Sequence, residues 1–430
     1  MKKIIVIDDL SPEVTAMLQA LYSRSPRSVV EHLSVVKEKG PDKFMSTYYV
    51  EYGHKSIGDC GSTTVFIENV SMLAAKAIQD YSLYNGQEAS TRYLDMAGQA
   101  VLNPLENPEG KLIQDEWMRF YSYAQGKVIP FLKKNFPIKE GEKETVYEKA
   151  IKARAFDITR GFLPAGVTTF ASWHTTLRQA SDHLKELRHH PLEEIRDIGE
   201  KVTQSLKEKY PASFTHKQYP EEEAFVEKSM RTLTYFDDTR IRGFAYSPRI
   251  QTEELRQFQD ILSSRPAKAE LPSRLKQYGN ITFEFPLDFG SYRDLQRHRS
   301  LFQEMPLLST RLGFHSWYLE QLPKDLRSEA EAFLAEQEKR IEALKTSDVI
   351  RQYYIAMGYM VPVKITGPLP SLVYVAELRS GSTVHQTLRV PAQTMGETIK
   401  MLLPGIAMYH DMSPDTWNIK RGSQDIIKKE

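Results

Sequence analysis

Short motifs recur in the same order in the two halves of this 430-residue chain, and this repetition limits its fold more than any other feature. Each half has a strand-like run that leads into a helical pattern and a polar loop bearing arginine, followed by two further motifs. The pairs are Thr64–Glu68 with Ile281–Phe285, Gly161–Pro164 with Gly358–Pro362, and Glu186–Arg188 with Glu377–Arg379. One match arises easily by chance, but several in a common order favour a tandem duplication.

The length of the chain agrees with a duplication. It exceeds one core of ordinary size, so two domains of roughly 200 residues each are expected. Tyr210–Glu223 carries two prolines and a run of glutamates, which interrupt the helical pattern before them. We therefore predict one domain at residues 1–220 and a second at residues 221–430.

The composition, 41% hydrophobic and 26% charged residues, is that of a globular protein, and no apolar run is long enough to cross a membrane. Lys plus Arg at 57 against Asp plus Glu at 56 leave a net charge of +1, so we expect no nucleic-acid partner. Local arginines must then hold any anionic ligand.

The single cysteine excludes a disulfide framework and a multi-cysteine zinc site, which favours the cytoplasm. Ile4–Ile7 is interpreted as a first strand, because its apolar run is too short for a secretory signal.

Two stretches have the apolar spacing of amphipathic helices, and we interpret both as core rather than as cofactor contacts. The first stripe is Ile113, Trp117, Phe120, Ala124 and Val128, and the second is Leu326, Ala330, Phe333, Gln337, Ile341 and Leu344.

The segment Asn85–Tyr93 is too rich in glycine and serine to continue a helix, so it should be a loop. If it is extended, Glu88, Ser90 and Arg92 lie on one side and offer a hydroxyl and a bidentate guanidinium to one anion. A surface turn with a Glu-Arg ion pair is the alternative, and composition alone favours that alternative.

The triplet Arg297–Arg299 (Arg-His-Arg) follows another strand-helix pattern. At a helix end such a triplet commonly complements the helix dipole or stays solvated. In an ordered loop the two guanidinium groups cannot share one helical face, so they would bracket two different anionic groups, such as a pyrophosphate and a nucleotide.

Together these stretches resemble the signature of the flavin-dependent thymidylate synthases, Arg-His-Arg-x-x-Ser-x-Asn-Glu-x-Ser-x-Arg-Tyr. The first half matches its later part at Gln87–Tyr93, but Asp80–Ser82 stands where Arg-His-Arg belongs. In the second half Arg297–Arg299 is intact, whereas Gln303–Arg311 has lost the register of the remainder.

The resemblance covers most of residues 45–200 and is thinner in the second half, where it depends on residues 281–299 and on a few later positions. The matching segments are Gly53–Cys60, Ile67–Ser71, Arg160–Pro164, Arg178, Glu186–Arg188, Glu194–Arg196, Glu377–Arg379, His385 and Arg389. Four further positions depart from the family: Asp59 replaces a glutamate, Cys60 replaces a histidine, and Ala77 and Asp294 stand where the family has glutamine before its arginine triplet.

The resemblance implies an α+β fold with two tandem copies of a mainly antiparallel sheet flanked by helices. It implies reductive methylation of deoxyuridine monophosphate (dUMP) with methylenetetrahydrofolate, using FAD as cofactor and NADPH as reductant. Family members are homotetramers with sites between subunits, so two copies of this chain would form a homodimer with four domains.

The resemblance also implies residue roles at one composite site. Arg379 would act on the pyrimidine ring by stabilising negative charge. The flavin contacts would be Arg297, His298, Arg299, Glu88 and Arg178. The nucleotide contacts would be Gln87, Ser90, Arg92, Arg160 and Arg188. The converse site, with Asp80 in place of an arginine and Gly358 in place of Arg160, is expected to be inactive because a carboxylate repels phosphate.

Two alternatives stay open, since a fold outlives its activity. One is a flavin-binding relative with changed nucleotide chemistry, and the other is a non-catalytic scaffold. Other enzyme classes lack their motifs here: there is no phosphate-binding loop, no dinucleotide fingerprint and no His-Glu-x-x-His metal pair. His183, His189 and His190 are interpreted as surface histidines rather than metal ligands.

Overall fold

The computed structural model describes residues 2–236 and 241–423. Its elements are helices and antiparallel strands, so the α+β prediction is confirmed. The helices are α1 Pro12–Tyr22, α2 Val29–Lys39, α3 Asp42–Phe44, α4 Lys55–Gly58, α5 Met72–Gln79, α6 Pro108–Asn135, α7 Glu144–Thr159, α8 Leu177–Arg188, α9 Glu193–Lys209, α10 Pro220–Leu233, α11 Thr252–Arg256, α12 Gln259–Ser264, α13 Phe289–Gln296, α14 Ser316–Glu320, α15 Lys324–Ala343, α16 Asp348–Arg351, α17 Leu369–Ser380 and α18 Gln386–Leu402.

The strands form one three-stranded and one four-stranded sheet, in the orders β1-β3-β2 and β4-β5-β7-β6. They are β1 Ser62–Ser71, β2 Asn85–Glu88, β3 Thr168–Thr176, β4 Ala245–Ile250, β5 Gly279–Asp288, β6 Phe302–Glu304 and β7 Met360–Pro368. In the second sheet all neighbours are antiparallel, with Phe283 of β5 opposite both Tyr246 of β4 and Ile365 of β7. Ile4–Ile7 lies in no strand, so the expectation of a first strand there was wrong.

The chain divides into two compact units, and both are discontinuous in sequence. The first unit holds the described residues up to Glu68, with Leu83–Glu88 and Phe170–Thr234. The second unit holds Asn69–Ser82, Ala89–Thr169 and the described residues from Tyr235 onward. These units do not follow a boundary at residue 220, and that boundary stays a prediction about the repeat.

The two halves have the same succession of elements, which supports a duplication. The ten-residue strands β1 and β5 each lead directly into an eight-residue helix, α5 and α13. The nine-residue strands β3 and β7 each lead into a twelve-residue helix, α8 and α17. Both helices α5 and α13 are capped in the same way, because Ser71 and Asp288 each accept a hydrogen bond from the backbone N–H three residues on.

A reciprocal backbone contact joins the equivalent turns of the two halves inside the second unit. Pro164 and Ala356 form an isolated antiparallel bridge. Four hydrogen bonds surround it in two matching pairs: Ala165 N to Ile355 O and Met357 N to Leu163 O, both 2.8 Å, then Gly166 N to Tyr353 O at 2.9 Å and Gly358 N to Gly161 O at 2.8 Å. Reciprocal contacts of this kind are the mark of a local two-fold axis.

That axis corrects the register of the repeat. The 3₁₀ turns Arg160–Phe162 and Gln352–Tyr354 occupy matching positions before β3 and β7. The counterpart of Arg160 is therefore Gln352 rather than Gly358, and Gly358 matches Gly166. The sequence pairing went wrong because both segments end in a similar Gly-aromatic-apolar-Pro pattern a few residues apart.

The apolar stripe of α6 packs against α15 in the second unit, as both stripes predict. All five residues of the first stripe are buried, and so are those of the second apart from Phe333, which is partly exposed. Phe120 stacks on Phe333 with ring centroids 4.3 Å apart, and Trp117 meets Phe333 edge-on at 5.0 Å. Each such pair contributes about 0.5–1.5 kcal/mol beyond its burial.

In the first unit, histidines take part in packing. His183 is 2% exposed and meets the fully buried ring of Trp173 edge-on at 5.4 Å. His190 is 5% exposed, and its Nδ1 accepts a hydrogen bond from the Leu192 N–H at 3.0 Å. The interpretation of these two as surface histidines was therefore wrong, because α8 turns His183 inward and the turn that follows α8 buries His190.

Gly166 tests the reciprocal contact. A Cβ at this position would lie 2.8 Å from the carbonyl oxygen of Tyr353 and 3.0 Å from that of Leu102, and backbone atoms cannot rotate away. We expect Gly166→Ala to lower the free energy of unfolding by about 1–3 kcal/mol in urea denaturation. Gly126→Ala is the matched control, because a Cβ on this exposed face of α6 meets nothing within 4 Å. That variant should be neutral or stabilising by about 0.5–1 kcal/mol, and equal losses in both would contradict the assignment.

Candidate functional site

Helix α13 fixes the Arg-His-Arg triplet in place. Its first turn is capped by Asp288, whose Oδ1 accepts from Ser291 N at 3.0 Å. The helix ends at Gln296, and the His298 N–H then bonds to Leu295 O at 3.0 Å, which turns His298 inward to 7% exposure. Arg297 and Arg299 point to the exposed side. The triplet is thus split between one buried imidazole and two exposed guanidinium groups.

Asp294 lies at the centre of a cluster of arginines from both halves of the chain. Its Oδ2 is 3.3 Å from Arg160 Nη1, and its Oδ1 is 3.9 Å from Arg297 Nη2. Burial by itself would raise the pKa of this carboxyl group, but the charges of Arg160, Arg297, Arg92 and Arg379 outweigh it and hold the pKa well below its usual range. Asp294 is therefore ionised and acts as the common counter-ion of four guanidinium groups.

Arg92 is held by a second buried carboxylate, Asp157 of α7. Its Nε and Nη2 donate to the two oxygens of Asp157 at 2.7 and 3.3 Å, and Nη2 also donates to Thr383 O at 2.7 Å. Arg421 pairs with the same carboxylate. Burial would raise the pKa of Asp157, but Arg421 and Arg92 keep it well below its usual range. This fork-to-fork geometry fixes the plane of the Arg92 guanidinium.

Arg160 is an interior residue rather than an open anion site, since it is 1% exposed. Each of its three nitrogens has a partner: Nη1 donates to Asp294, Nη2 to Ser291 Oγ at 2.8 Å, and Nε to Tyr318 OH at 3.5 Å. In this conformation Arg160 orients Asp294 and Ser291, and the predicted phosphate contact would require one of these bonds to open.

Arg379 near the end of α17 is held by His298. Its Nε donates to His298 Nε2 at 2.6 Å, so the imidazole accepts and must be neutral. Burial first, and then the charges of Arg379 and Arg297, lower the pKa of His298 to about 3. Tyr374, one turn earlier on α17, meets the His298 ring edge-on at 6.0 Å.

Buried hydroxyl and carboxyl groups support this cluster from below. Thr387 Oγ1 donates to Asp288 Oδ2 at 2.5 Å and lies 2.6 Å from Ser291 Oγ, while Tyr318 OH donates to Asp288 Oδ1 at 2.8 Å. His385 completes the chain, with Nδ1 2.9 Å from Thr387 Oγ1. None of Asp157, Asp288, Tyr318, Thr387 and Arg421 was expected from the sequence, because single acids and hydroxyls carry no local signal.

The structure brings Arg92, Arg160, Arg297, His298 and Arg379 together within the second unit. Ser90 precedes them in a turn, where its carbonyl accepts from Tyr93 N and Leu94 N at 3.2 and 3.0 Å. Asn85–Glu88 forms β2, so the prediction of a loop over Asn85–Tyr93 was wrong for these four residues. Beyond Ser90 the chain turns, so the extended arrangement that would align Glu88, Ser90 and Arg92 is not present.

The remaining predicted residues belong to the first unit. Gln87 and Glu88 lie in β2, where they pair with Ser172 and Ala171 of β3. Arg178 is partly exposed and bonds to Asp59 at 2.7 Å and to Asp182 at 3.5 Å. Arg188 lies 3.7 Å from Glu223. Their ligand roles stay predictions.

The counterpart of the triplet in the first half has a different chemistry. Asp80 pairs with Lys76 and accepts from the Gln296 side chain. At the position equivalent to Arg160, Gln352 Oε1 accepts from Leu308 N at 2.9 Å, and its Nε2 donates to Tyr235 OH at 3.2 Å. An amide and a lysine-bound carboxylate thus replace two arginines, which supports the prediction that this second site is inactive.

The exposed rim of the arginine cluster has the donor set that a flavin nucleotide requires. The Arg297 side chain is 42% exposed and lies 3.9 Å from Asp294, too far for a hydrogen bond, so it can turn toward a pyrophosphate. Tyr374 and Leu378 are exposed beside Arg379 and offer an aromatic and an aliphatic surface to a planar ring. These three residues are of the chemical types that a flavin nucleotide contacts.

No helix among the described residues combines the length and the apolar character of a membrane span. In residues 2–236 and 241–423, no three His, Cys, Asp or Glu side chains are grouped as metal ligands would be.

The His298–Arg379 contact predicts a specific loss of stability in acid. Because the pKa of His298 falls from 6.5 to about 3 on folding, only the unfolded chain takes up this proton between those values. The contribution of neutral His298 to the free energy of unfolding is complete above pH 6.5. It declines as the pH falls, by about 2 kcal/mol between pH 7 and pH 5. In His298→Gln, whose amide oxygen still accepts from Arg379, the drop in unfolding free energy over this interval should be smaller by that amount. An unchanged pH dependence would show that the pKa of His298 is the same in the folded and the unfolded protein.

Comparison with known proteins gives one family and several relatives. A family model described as thymidylate synthase complementing protein matches residues 6–212. A UPF0159 protein of Chlamydia muridarum is 25% identical over 82% of this chain and 77% of its own length. UPF0159 proteins of Chlamydia pneumoniae and Thermoplasma acidophilum are 26% and 24% identical, over 79% and 91% of this chain and 75% and 93% of their own lengths. The similarity to these relatives extends well beyond the segment that the family model matches.

Proposed function

Because residues 6–212 belong to the thymidylate synthase complementing protein family, we propose that the chain is a flavin-dependent enzyme acting on a pyrimidine nucleotide. The reaction proposed is reductive methylation of dUMP to thymidylate, with FAD as cofactor and with NADPH and methylenetetrahydrofolate as co-substrates. One site per chain carries it out, in the arginine cluster of the second unit.

The convergence of two incomplete signatures is the observation that supports this proposal. Arg92 and Arg160 come from the first half of the chain, while Arg297, His298 and Arg379 come from the second. All four arginines act on the one carboxylate of Asp294. Neither half has the full set, so drift in each half is compatible with selection for one shared site.

The residues of the cluster have distinct roles in the proposed reaction. The flavin, when bound, supplies the hydride chemistry. Arg379 faces the pyrimidine ring and stabilises the negative charge that develops there, which is electrostatic preorganisation. His298 accepts from Arg379 Nε and so holds the guanidinium group in place. Arg297 and Arg299 bind the anionic parts of flavin and nucleotide from the exposed side.

A second candidate is a flavin-binding relative whose nucleotide chemistry has changed. The carboxylates of Asp157 and Asp294 favour it, because they already neutralise Arg92 and Arg160. A phosphate group at these guanidinium groups would have to compete with an internal ion pair. Identification of the ligand and the product separates the two candidates.

The assembly and compartment are part of the same proposal. We infer a homodimer, because two duplicated chains reproduce the four domains of a family tetramer. A cytoplasmic location suits the single cysteine and the nucleotide substrate.

Flavin binding tests the division between the two halves. The full chain should bind FAD with the absorbance change of a protein-bound flavin. Arg297→Ala should raise the dissociation constant at least about tenfold, because it removes a charge-assisted contact of about 1.4 kcal/mol or more. Asp80→Ala, at the equivalent position of the other half, is the control and should leave the constant unchanged. Equal losses in both variants would contradict a single site.

Turnover tests the chemistry. NADPH oxidation should depend on both dUMP and methylenetetrahydrofolate, and mass spectrometry should detect thymidylate. Arg379→Lys keeps the charge but loses the planar donor fork, so kcat should fall by about 10²-fold or more while FAD stays bound. Bound FAD with no thymidylate from the wild type would instead favour the relative with changed chemistry.

A further inference from the structure

Asp294 is the most consequential departure of this chain from the family signature. The family has a neutral glutamine before its arginine triplet, and this chain has a carboxylate there. The first half has Ala77 at the matching place in α5. At this position, therefore, the half that keeps the arginine triplet has a negative charge, whereas the other half has an uncharged alanine.

Geometry places this carboxylate where an anionic ligand would be expected. One oxygen faces Arg160 at 3.3 Å and the other faces Arg297 at 3.9 Å, and the side chain is 15% exposed. Asp294 is short and stands on α13, whose start is fixed by the Asp288 cap and whose end is fixed by buried His298. The helix therefore holds the backbone of Asp294 beside these guanidinium groups.

A fixed carboxylate at this position acts against a phosphate in two ways. It occupies a donor of Arg160 that a phosphate oxygen would need, and it lies 3.9 Å from Arg297 Nη2. It also repels a dianion bound within a few ångströms, and the repulsion is strong in a partly buried site because water screens it poorly. A neutral ligand, such as a nucleoside, meets neither obstacle.

We propose that Asp294 is a specificity-determining residue, a built-in anion that weakens binding of the nucleotide's phosphate, so that the site discriminates little between a pyrimidine nucleoside monophosphate and the uncharged nucleoside. The inference rests on the proposed function for its substrate class, and it concerns the charge of the ligand rather than the reaction. Arg379 and the exposed surface of Tyr374 recognise the ring in either case.

A purely structural role is the rival interpretation. In that case Asp294 only neutralises buried Arg160, and its replacement lowers the stability of the protein without changing the discrimination between charged and uncharged ligands. The ratio of two dissociation constants separates the interpretations, because a general loss of order affects both ligands alike.

The experiment measures binding of deoxyuridine and of dUMP to the FAD-loaded full chain by isothermal titration calorimetry. Three proteins are compared: the wild type, Asp294→Asn and Asp294→Gln, the last restoring the residue type of the family. Asp80→Asn is the matched control, since it removes a carboxylate paired with Lys76 at the equivalent end of α5. Thermal unfolding of each protein identifies a variant that has lost its fold, and the other variant then carries the test.

In the wild type the two dissociation constants should lie within about tenfold of each other. Both Asp294 variants should lower the dissociation constant of dUMP at least about tenfold and change that of deoxyuridine by less than about twofold. Asp80→Asn should change neither constant. A wild type that already binds dUMP far more tightly than deoxyuridine, with a ratio that the variants leave unchanged, overturns the inference.

Inorganic phosphate separates this inference from the proposed function. Its affinity should rise at least about tenfold in Asp294→Asn, whether or not a pyrimidine binds. If neither pyrimidine binds any of the proteins but phosphate affinity rises, the proposed function fails and the role of Asp294 stands. Phosphate affinity that is equal in wild type and both variants overturns the role of Asp294.

Discussion

The neutralisation of buried guanidinium groups is the constraint on which this architecture depends. Arg160 is almost fully enclosed, and an enclosed charge is tolerated only with a counter-ion and partners for every donor. Asp294, Ser291 and Tyr318 supply them, and they arrive on α13 and α14 from the other half of the chain. The position of the whole arginine cluster follows from this requirement, as does the firm attachment of α13 to the turn at Arg160.

The same constraint explains how one duplicated chain came to hold unequal sites. Around the local two-fold axis at Pro164 and Ala356, the backbone contacts are reciprocal. The side-chain contacts are not reciprocal. Arg160 bonds to the Asp294 carboxylate, whereas its counterpart Gln352 bonds to a backbone N–H and a tyrosine. Backbone pairing is indifferent to side-chain identity, so it persists, while a buried charge and its counter-ion must be lost together.

Sequence patterns identified the features that repeat with a local period. The buried stripes of α6 and α15 were predictable, because helical geometry brings every third or fourth residue to one face. The matching of Asp80 with Arg297 was also predictable, since the strand and helix before each are equal in length. The turn at Ser90 and the pairing of Gly166 with Gly358 were not, because a short glycine-rich segment has no period that fixes its register.

The sequence by itself determined the repeated order of motifs, because that order depends only on the succession of residues along the chain. Its resemblance to a known family implied the α+β class and the residue types that meet in the cluster. Tertiary structure alone decided the partners. Asp157 reaches Arg92 and Arg421, and Asp294 reaches Arg160, across long stretches of chain. The reason is physical: an ion pair depends on distance in space, and nothing in the residues adjacent to an aspartate specifies which distant arginine folding will bring against it.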